Sequence, residues 1–475
     1  MSTGMNFWDT GMWSFIITLT ILLTCMMVAN FLRRVIKPLR RSLIPSSVLG
    51  GFLALLVDFL FKKITGNSMF NPVMLEALTY HGLGLGFAAV ALKTTERKIV
   101  GDSKKDIMNY GLTTVSAYVL QGAIGLAIML ILGLFLSNTF PAAGLLLPMG
   151  YGQGPGQAYN WGHTYEVLWG FEHGTSFGLT LAATGFISAS VGGIFYLERL
   201  KKKGLVKTTF EDEIVASEED EENKPAKGEI PLSESMDKLT VQVALVLIAY
   251  AFAYLFMWGI NKIIETGTLG TFGTNTLQPL IWGFNFLIST VFAVLVKTFL
   301  RFLKKKNIMK REYTSNFMQN RISGFMFDIM VVASIAAIKL SAFQHRSFII
   351  PIIALSVAGC VFTYMQCDFI AKRLFKGYEH ESFLALYGML TGTASTGIIL
   401  LREIDPQFKT PAATNLVYQQ LYAILFGFPV LLLLGFAPQS NTNLWITFIV
   451  LIVLLAGYTV LLFRDSIFKK KKKTA

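Results

Sequence analysis

Charge is what this chain has least of. Only 15% of its 475 residues are Asp, Glu, Lys or Arg, where a soluble domain carries about a quarter. With 53% of residues hydrophobic and a mean hydropathy of +0.54, the composition excludes a large soluble α-helical protein. Cysteine is nearly absent as well. Cys25, Cys360 and Cys367 are the three present, all within apolar segments, where they read as small packing residues rather than disulfides or metal ligands. What the chain has in quantity is apolar sequence in long runs, several reaching the ~20 residues that cross a bilayer. It reads as a polytopic helical membrane protein.

The formal net charge of +13 raises the question of a nucleic-acid partner, and placement answers against it. The basic residues sit in short loops at the ends of apolar segments: "RRVIKPLRR" (33–41), "KTTERKIVGDSKK" (93–105), "RFLKKK" (301–306) and the tail "KKKKK" (469–473). This is the positive-inside pattern of a multi-pass protein. The first apolar run, about 13–32, has no basic region before it and no small-residue cleavage site after it. It is expected to be a retained span with the N-terminus outside.

Counting from there, spans at about 13–32, 43–61, 73–92 and 110–136 alternate sides, with Lys62 and Lys63 on the wrong side as a minor violation. The next basic cluster, "ERLKKK" (198–203), is again inside. One clean span, about 174–197, fits between. The remainder, "AAGLLLPMGYGQGPGQAYNWG", is too apolar for an ordinary loop and too rich in Gly and Pro for a helix. A re-entrant hairpin over 141–172 satisfies the count. After it, "EDEIVASEEDEENKPAKGE" reads as a disordered cytoplasmic linker. Further spans follow at about 239–260, 279–300, 323–343 and 347–368. A full crossing at 383–402 would then put the polybasic tail outside, so "GMLTGTASTGIILLR" (388–402) reads as a second hairpin. Spans at about 413–436 and 444–463 bring the tail to the cytoplasm.

The expected fold is therefore all-α: two inverted repeats of five transmembrane helices, each with a re-entrant hairpin, plus an additional C-terminal helix. The chain divides into 1–200 (first repeat, hairpin near 141–172), 201–238 (acidic cytoplasmic linker), 239–436 (second repeat, hairpin near 383–402) and 437–475 (extra helix and polybasic cytoplasmic tail). Inverted repeats with Gly/Pro-interrupted segments at matching positions mark secondary transporters.

Irregular backbone at membrane depth survives only inside protein or beside a watery cavity. There, helix ends offer N–H groups to a carboxylate and carbonyls to a small cation, and hydroxyls add oxygen donors suited to a hard cation. On this reading Gly392, Thr393, Ser395 and Thr396 form one tip, and Gly154, Pro155, Gly156 and Gln157 the other. Substrate is assigned to Gly154, Gly156, Gln157, Thr393, Ser395 and Arg402, and sodium to Thr391, Thr396 and Asp328. The bland alternative is that the glycines serve only tight helix packing. Arg402 either presents its planar fork to a carboxylate or marks the membrane edge. Asp328 either serves an ion path or pairs with Lys339. His81, with Glu76 in the same span, reads as a packing residue rather than a proton relay. His163, Glu166, Glu172 and His173 look like a metal cluster only superficially, because their spacing is irregular.

The stretch "YGMLTGTASTGIILLREIDPQFKTPAATN" (387–415) resembles the signature of the bacterial sodium/glutamate symporter family. The likeness lies in its Gly-x-x-Thr-Gly-Thr-Ala-Ser-Thr-Gly run, the Leu-Leu-Arg after it, and the Asp-Pro and Thr-Pro-Ala beyond. It extends more loosely over about residues 10–436. The resemblance implies the inverted five-helix repeat shared with sodium/citrate symporters, a homodimer in the bacterial cytoplasmic membrane, and an elevator motion. It further implies sodium-coupled symport of L-glutamate or a similar small carboxylate, with Na⁺ as coupling ion and no other cofactor. The first-half loop "GYGQGPGQAYNWG" (150–162) departs from the family's histidine-containing loop at Gln153, Pro155 and Gln157, and the linker and last helix are additions. Two other classes fit less well. A channel lacks a symmetric filter here, and an intramembrane enzyme lacks a histidine partner for Ser395.

Overall fold

The computed structural model describes residues 10–93, 102–205 and 236–467. Most of the acidic linker, the middle of the 93–105 basic loop and the lysine tail fall outside the described residues. Among the described residues the chain is helical, without strands.

The first half runs α1 (Thr10–Val35), short α2 (Lys37–Arg41), α3 (Ser46–Thr65), α4 (Pro72–Leu92) and α5 (Asp102–Leu132). A 3₁₀ turn (Pro141–Leu145) then leads into α6 (Leu146–Tyr151), α7 (Pro155–Trp169) and α8 (Gly174–Lys202). The second half runs α9 (Lys238–Glu265), a one-turn α10 (Gly270–Phe272), a π-turn (Gly273–Leu277), α11 (Gln278–Gly283), α12 (Asn285–Lys305), α13 (Asn316–Ala336) and α14 (Arg346–Leu374). It ends with α15 (Glu379–Thr391), α16 (Ala394–Arg402), α17 (Ala412–Tyr418), α18 (Gln420–Phe436) and α19 (Asn441–Leu462).

Local chemistry fixes several of these starts. Asn71 accepts from the Val73 N–H at 3.0 Å, with Pro72 opening α4. Asp237 accepts from the N–H groups of Leu239 and Thr240 to start α9, and Ser440 from that of Asn443 to start α19. Such caps satisfy N–H groups that a first turn leaves without partners.

Nine described helices are long and apolar enough to cross a membrane: α1, α4, α5, α8, α9, α12, α14, α18 and α19. Helices α3 and α13, of 20 and 21 residues, have the length without that unbroken apolarity. These eleven fall on the eleven expected spans, with three differences, one being that the expected span at 413–436 is divided at Gln419 into α17 and α18. The expected span at 279–300 is broken: α11 stops at Gly283, Phe284 leaves helical geometry (φ −98, ψ 23), and α12 resumes at Asn285. The eighth span lies at 316–336 rather than 323–343, because Leu340–Gln344 closes a 3₁₀ turn instead.

The helices sort into two bundles. In the first, α4 packs against α13, α12 against α4, α3 against α13, α1 against α3, and α9 against α12. In the second, α5 is surrounded by α6, α14, α18 and α19, while α8 holds α6, α7, α14 and α15. Along the seam, α7 touches α4 and α13, and α11 touches α7 and α18. Leu22, Ala54, Leu75 and Val332 form one small core of the first bundle, and Ala88, Ala249 and Ala293 another. The additional helix α19 belongs to the second bundle: Tyr458 donates to the Phe426 carbonyl at 2.6 Å, and Lys105 pairs with Asp465.

Candidate functional site

Both Gly-rich stretches form helix–break–helix hairpins whose arms are too short to cross. At 1.5 Å per residue, α7 with 15 residues reaches about 22 Å, and α15 and α16 with 13 and 9 residues reach less. In the second hairpin the arms meet backbone to backbone. A Cβ on Gly388 would lie 2.7 Å from Gly397 Cα, and one on Gly397 would lie 2.4 Å from the Ala385 carbonyl oxygen. The glycine-packing reading therefore holds for Gly397, alongside whatever the tip does.

The two tips touch. Gly154 has φ +83 and ψ −174, a backbone region essentially restricted to glycine. The position of its absent Cβ lies 3.4 Å from Thr393 Cγ2 and 3.5 Å from the Gly392 carbonyl oxygen. Helix α7 begins at one tip and α16 at the other, and no side chain caps either start. Two N-termini with free N–H groups thus open at one place, an arrangement that favours an anion. The C-terminal carbonyls of α6 and α15 end at the same breaks.

Of the assigned residues, Gly154, Thr393 and Thr396 come together. Thr393 Oγ1 and Thr396 Oγ1 are 3.3 Å apart, and Thr396 is fully buried. Ser395, beside them, is exposed. The Thr391 hydroxyl donates to the Tyr387 carbonyl at 2.7 Å, while its own carbonyl lies close over Gly185 of α8. Gly156 packs against Leu83 of α4, where a Cβ would lie 2.7 Å from Leu83 Cδ1. Gln157 is buried, and its amide donates to the Gly283 carbonyl at 3.2 Å.

Two assigned residues are not brought to the tips. Arg402 ends α16, about 12 Å along the helix from Ala394, with its guanidinium 5.2 Å from the Phe408 ring. Asp328 sits on α13 with its carboxylate near Ser47 at the start of α3. The alternative pairing of Asp328 with Lys339 is not made. Lys339 instead faces Glu166, with Nζ 4.0 Å from Oε1, because the turn after α13 carries it to α7. His81 Nδ1 meets Tyr250 Oη at 2.8 Å, and the ring sits edge-on to Tyr80 and Tyr250.

Several buried polar residues around the hairpins escaped the sequence reading. Gln121 of α5 donates to Thr363 Oγ1 at 2.9 Å and to the Leu390 carbonyl at 3.0 Å, tying the second hairpin to α5 and α14. Asn160 joins Gln157 on the Gly283 carbonyl at 3.1 Å, and Asn285 donates to the Tyr80 carbonyl at 3.0 Å. The side-chain oxygens of Gln121, Gln157, Asn160 and Asn285 are buried without a protein partner. The signal was present as single amides in otherwise apolar helices, for instance "YVLQGAIG".

A multi-pass helical bundle with two half-depth hairpins meeting tip to tip, their N-termini facing one spot, defines a membrane transporter. Residues 13–379 match the sodium/glutamate symporter family. The chain belongs to that family and is a sodium-coupled transporter. The matched segment takes in the first hairpin and ends at the start of α15, just ahead of the 387–415 stretch. No curated protein matches the chain.

Proposed function

We propose that the protein carries a small carboxylate, with L-glutamate the leading candidate, inward with Na⁺, binding both where the hairpin tips meet. The observation that carries this is the contact of Gly154 with Gly392 and Thr393, which puts two uncapped helix starts at one site. The substrate carboxylate takes the N–H groups opening α7 and α16, with the Thr393 and Ser395 hydroxyls beside them. Sodium takes oxygen from the Thr396 hydroxyl and from the Thr391 carbonyl and its neighbours at the end of α15. This reading leaves Arg402 and Asp328 outside the site, keeps the N–H groups of Gly156 and Gln157 at the tip, and gives the packing of Gly156 and the side chain of Gln157 to the seam with the first bundle.

The pairing of helices supports an inverted repeat. The contact of α1 with α3 has its counterpart in α9 with α12, that of α3 with α13 in α12 with α4, and that of α8 with α14 in α18 with α5. The division into two bundles supports an elevator motion, in which the bundle holding both hairpins slides along α4, α12 and α13. The N-terminus is placed outside, the C-terminus in the cytoplasm, and the protein in the bacterial cytoplasmic membrane as a homodimer. Each net positive charge moved inward gains about 2.3 kcal/mol per 100 mV of membrane potential, so electrogenic coupling is energetically sufficient for uptake.

The test is a panel of carboxylates and amino acids offered to proteoliposomes with and without an inward Na⁺ gradient. Glutamate uptake is expected to require the gradient and to saturate. Uptake indifferent to Na⁺, or transport of none of the panel, overturns the reading.

A further inference from the structure

Two histidines stand side by side where two helices of the second bundle begin. His173 immediately precedes α8 and His345 immediately precedes α14; their ring centroids are 5.6 Å apart, with 35° between the ring planes. The connector from α13 brings His345 there, fastened on the way by the Lys339 N–H, which donates to Ser176 Oγ of α8 at 3.0 Å. Both histidines are held at the backbone. His173 takes left-handed geometry (φ 62, ψ 22), uncommon outside glycine, and its ring lies edge-on to the buried Phe348. The His345 carbonyl accepts from the N–H groups of Phe348 and Ile349 at 3.0 and 3.1 Å as α14 starts.

The spacing suits two imidazoles on one metal ion. With metal–nitrogen bonds of about 2.0–2.1 Å and a tetrahedral angle, two coordinated ring centroids stand about 5.2 Å apart. A third donor lies beside them: Glu172 Oε1 is 3.8 Å from His173 Nε2, against about 3.4 Å between two donors on one tetrahedral ion. Among the described residues no three such side chains are closed around one point, but the Glu172 side chain is 82% exposed and free to move the remaining few tenths of an ångström. His345 is exposed as well, so an ion reaches the rings from solvent. The group apparent in the sequence is thus split. His163 and Glu166 turn to Thr175, while Glu172 and His173 meet a histidine from a distant part of the chain.

We infer that His173, His345 and Glu172 form a binding site for a divalent transition-metal ion of the zinc class. Imidazole nitrogen and carboxylate oxygen are ordinary zinc donors, and two His with one Glu leave the fourth position to water. Magnesium, which takes oxygen ligands, gains nothing from the imidazoles. The ion joins the start of α8 to the start of α14, where the connector from the first bundle arrives. Both helices end on basic residues, so the site lies on the side of the membrane opposite the basic loops.

The experiment is calorimetric titration of Zn²⁺, and separately of Mg²⁺, into the purified full chain in detergent, free of any affinity tag. Wild type is compared with His345→Ala, His173→Asn and His380→Ala. Asparagine tolerates the left-handed backbone at 173, so that variant carries the comparison if His345→Ala does not fold. His380 bonds to Tyr196 near the far end of α8 and serves as a histidine remote from the site. Wild type and His380→Ala are expected to bind one Zn²⁺ per chain with equal affinity. Both site variants are expected to lose affinity by about tenfold or more, at least the cost of removing an outer-shell partner. Mg²⁺ is expected to give no saturable heat. Absence of Zn²⁺ binding by wild type overturns the inference, as does undiminished binding by the site variants. A loss of the same size in His380→Ala, or equal binding of Mg²⁺, overturns it too.

Discussion

The side-chain amide of Gln157 donates to the backbone carbonyl of Gly283 at 3.2 Å, joining the first hairpin to the break between α11 and α12. Asn160, one turn further along α7, donates to the same oxygen at 3.1 Å. Gly283 is free to accept both because α11 ends there, so its carbonyl is not consumed in a continued helix. Two donors from α7 therefore hold one acceptor at the end of α11, on the seam between the bundles.

Removing one of these donors is expected to loosen this state without dismantling the site. A buried hydrogen bond contributes about 1 kcal/mol net, which corresponds to a change of roughly fivefold in a two-state population. Asn160→Ala is therefore expected to shift the balance between the state described here and its alternative by about that factor. Spin-label distances between α4 and α7 in proteoliposomes report the change. Because both donors share the Gly283 carbonyl, the Gln157→Ala/Asn160→Ala pair is expected to be non-additive. Identical distance distributions in all the proteins would refute a role for the seam.

Gly154→Ala tests the tip. The added methyl has room, at 3.4 Å from Thr393 Cγ2, so the penalty is in the backbone at φ +83 and amounts to about 1–3 kcal/mol. The local answer is a tip that rotates away from Thr393. Initial uptake rates, normalised to protein in the membrane, are expected to fall about tenfold or more. A variant transporting at the wild-type rate would show that the apposition of the tips is dispensable.

The positions of both hairpins could be read from sequence because they rest on strong local signals. Gly, Pro and hydroxyl residues interrupt apolar runs at 150–157 and 388–397, and the basic loops fix the count around them. The break at Phe284 was not readable. "LIWGFNFLIST" is mostly apolar with one Gly and one Asn at the break, and what stops the helix there is tertiary: Asn285 donates to the Tyr80 carbonyl while Tyr80 donates to that of Trp282. The same holds for Gln121, Asn160 and Asn285, whose importance lies in partners from distant parts of the chain. Arg402 and Asp328 stand open in the sequence between a functional and a structural role, and the structure places Arg402 over Phe408 and Asp328 on α13 near Ser47, away from the hairpin tips. Charge alone does not say which way a side chain faces.

Gly397→Ala is expected to damage folding. Its Cβ would sit 2.4 Å from the Ala385 carbonyl oxygen, backbone that cannot yield unless α15 and α16 separate. Overpacking of this kind costs typically 1–3 kcal/mol. The matched control is Gly457→Ala in α19, where no atom lies within 4 Å and the gain in helix propensity favours alanine. The midpoint of thermal unfolding in detergent is expected to drop by several degrees for the first and to hold or rise for the second. Equal midpoints would mean that the hairpin arms do not need their close contact.

Truncation after Gln439 tests where the last helix belongs. Helix α19 lies along α5, burying Leu444, Leu451 and Tyr458 and covering Asn109, whose Oδ1 is reached by Arg464 at 3.5 Å. The Lys105–Asp465 pair is half-exposed, and such pairs contribute 1 kcal/mol at most, so packing rather than charge makes this attachment. Without α19 the second bundle loses a wall and the first loses nothing. Hydrogen exchange of the truncated protein in detergent is expected to speed up in α5 and α18 while α4 and α13 keep their protection. The Asp465→Ala point variant is expected to leave both unchanged. Faster exchange in α4 and α13 would place α19 against the first bundle in the working protein, and the division into two bodies would have to be redrawn.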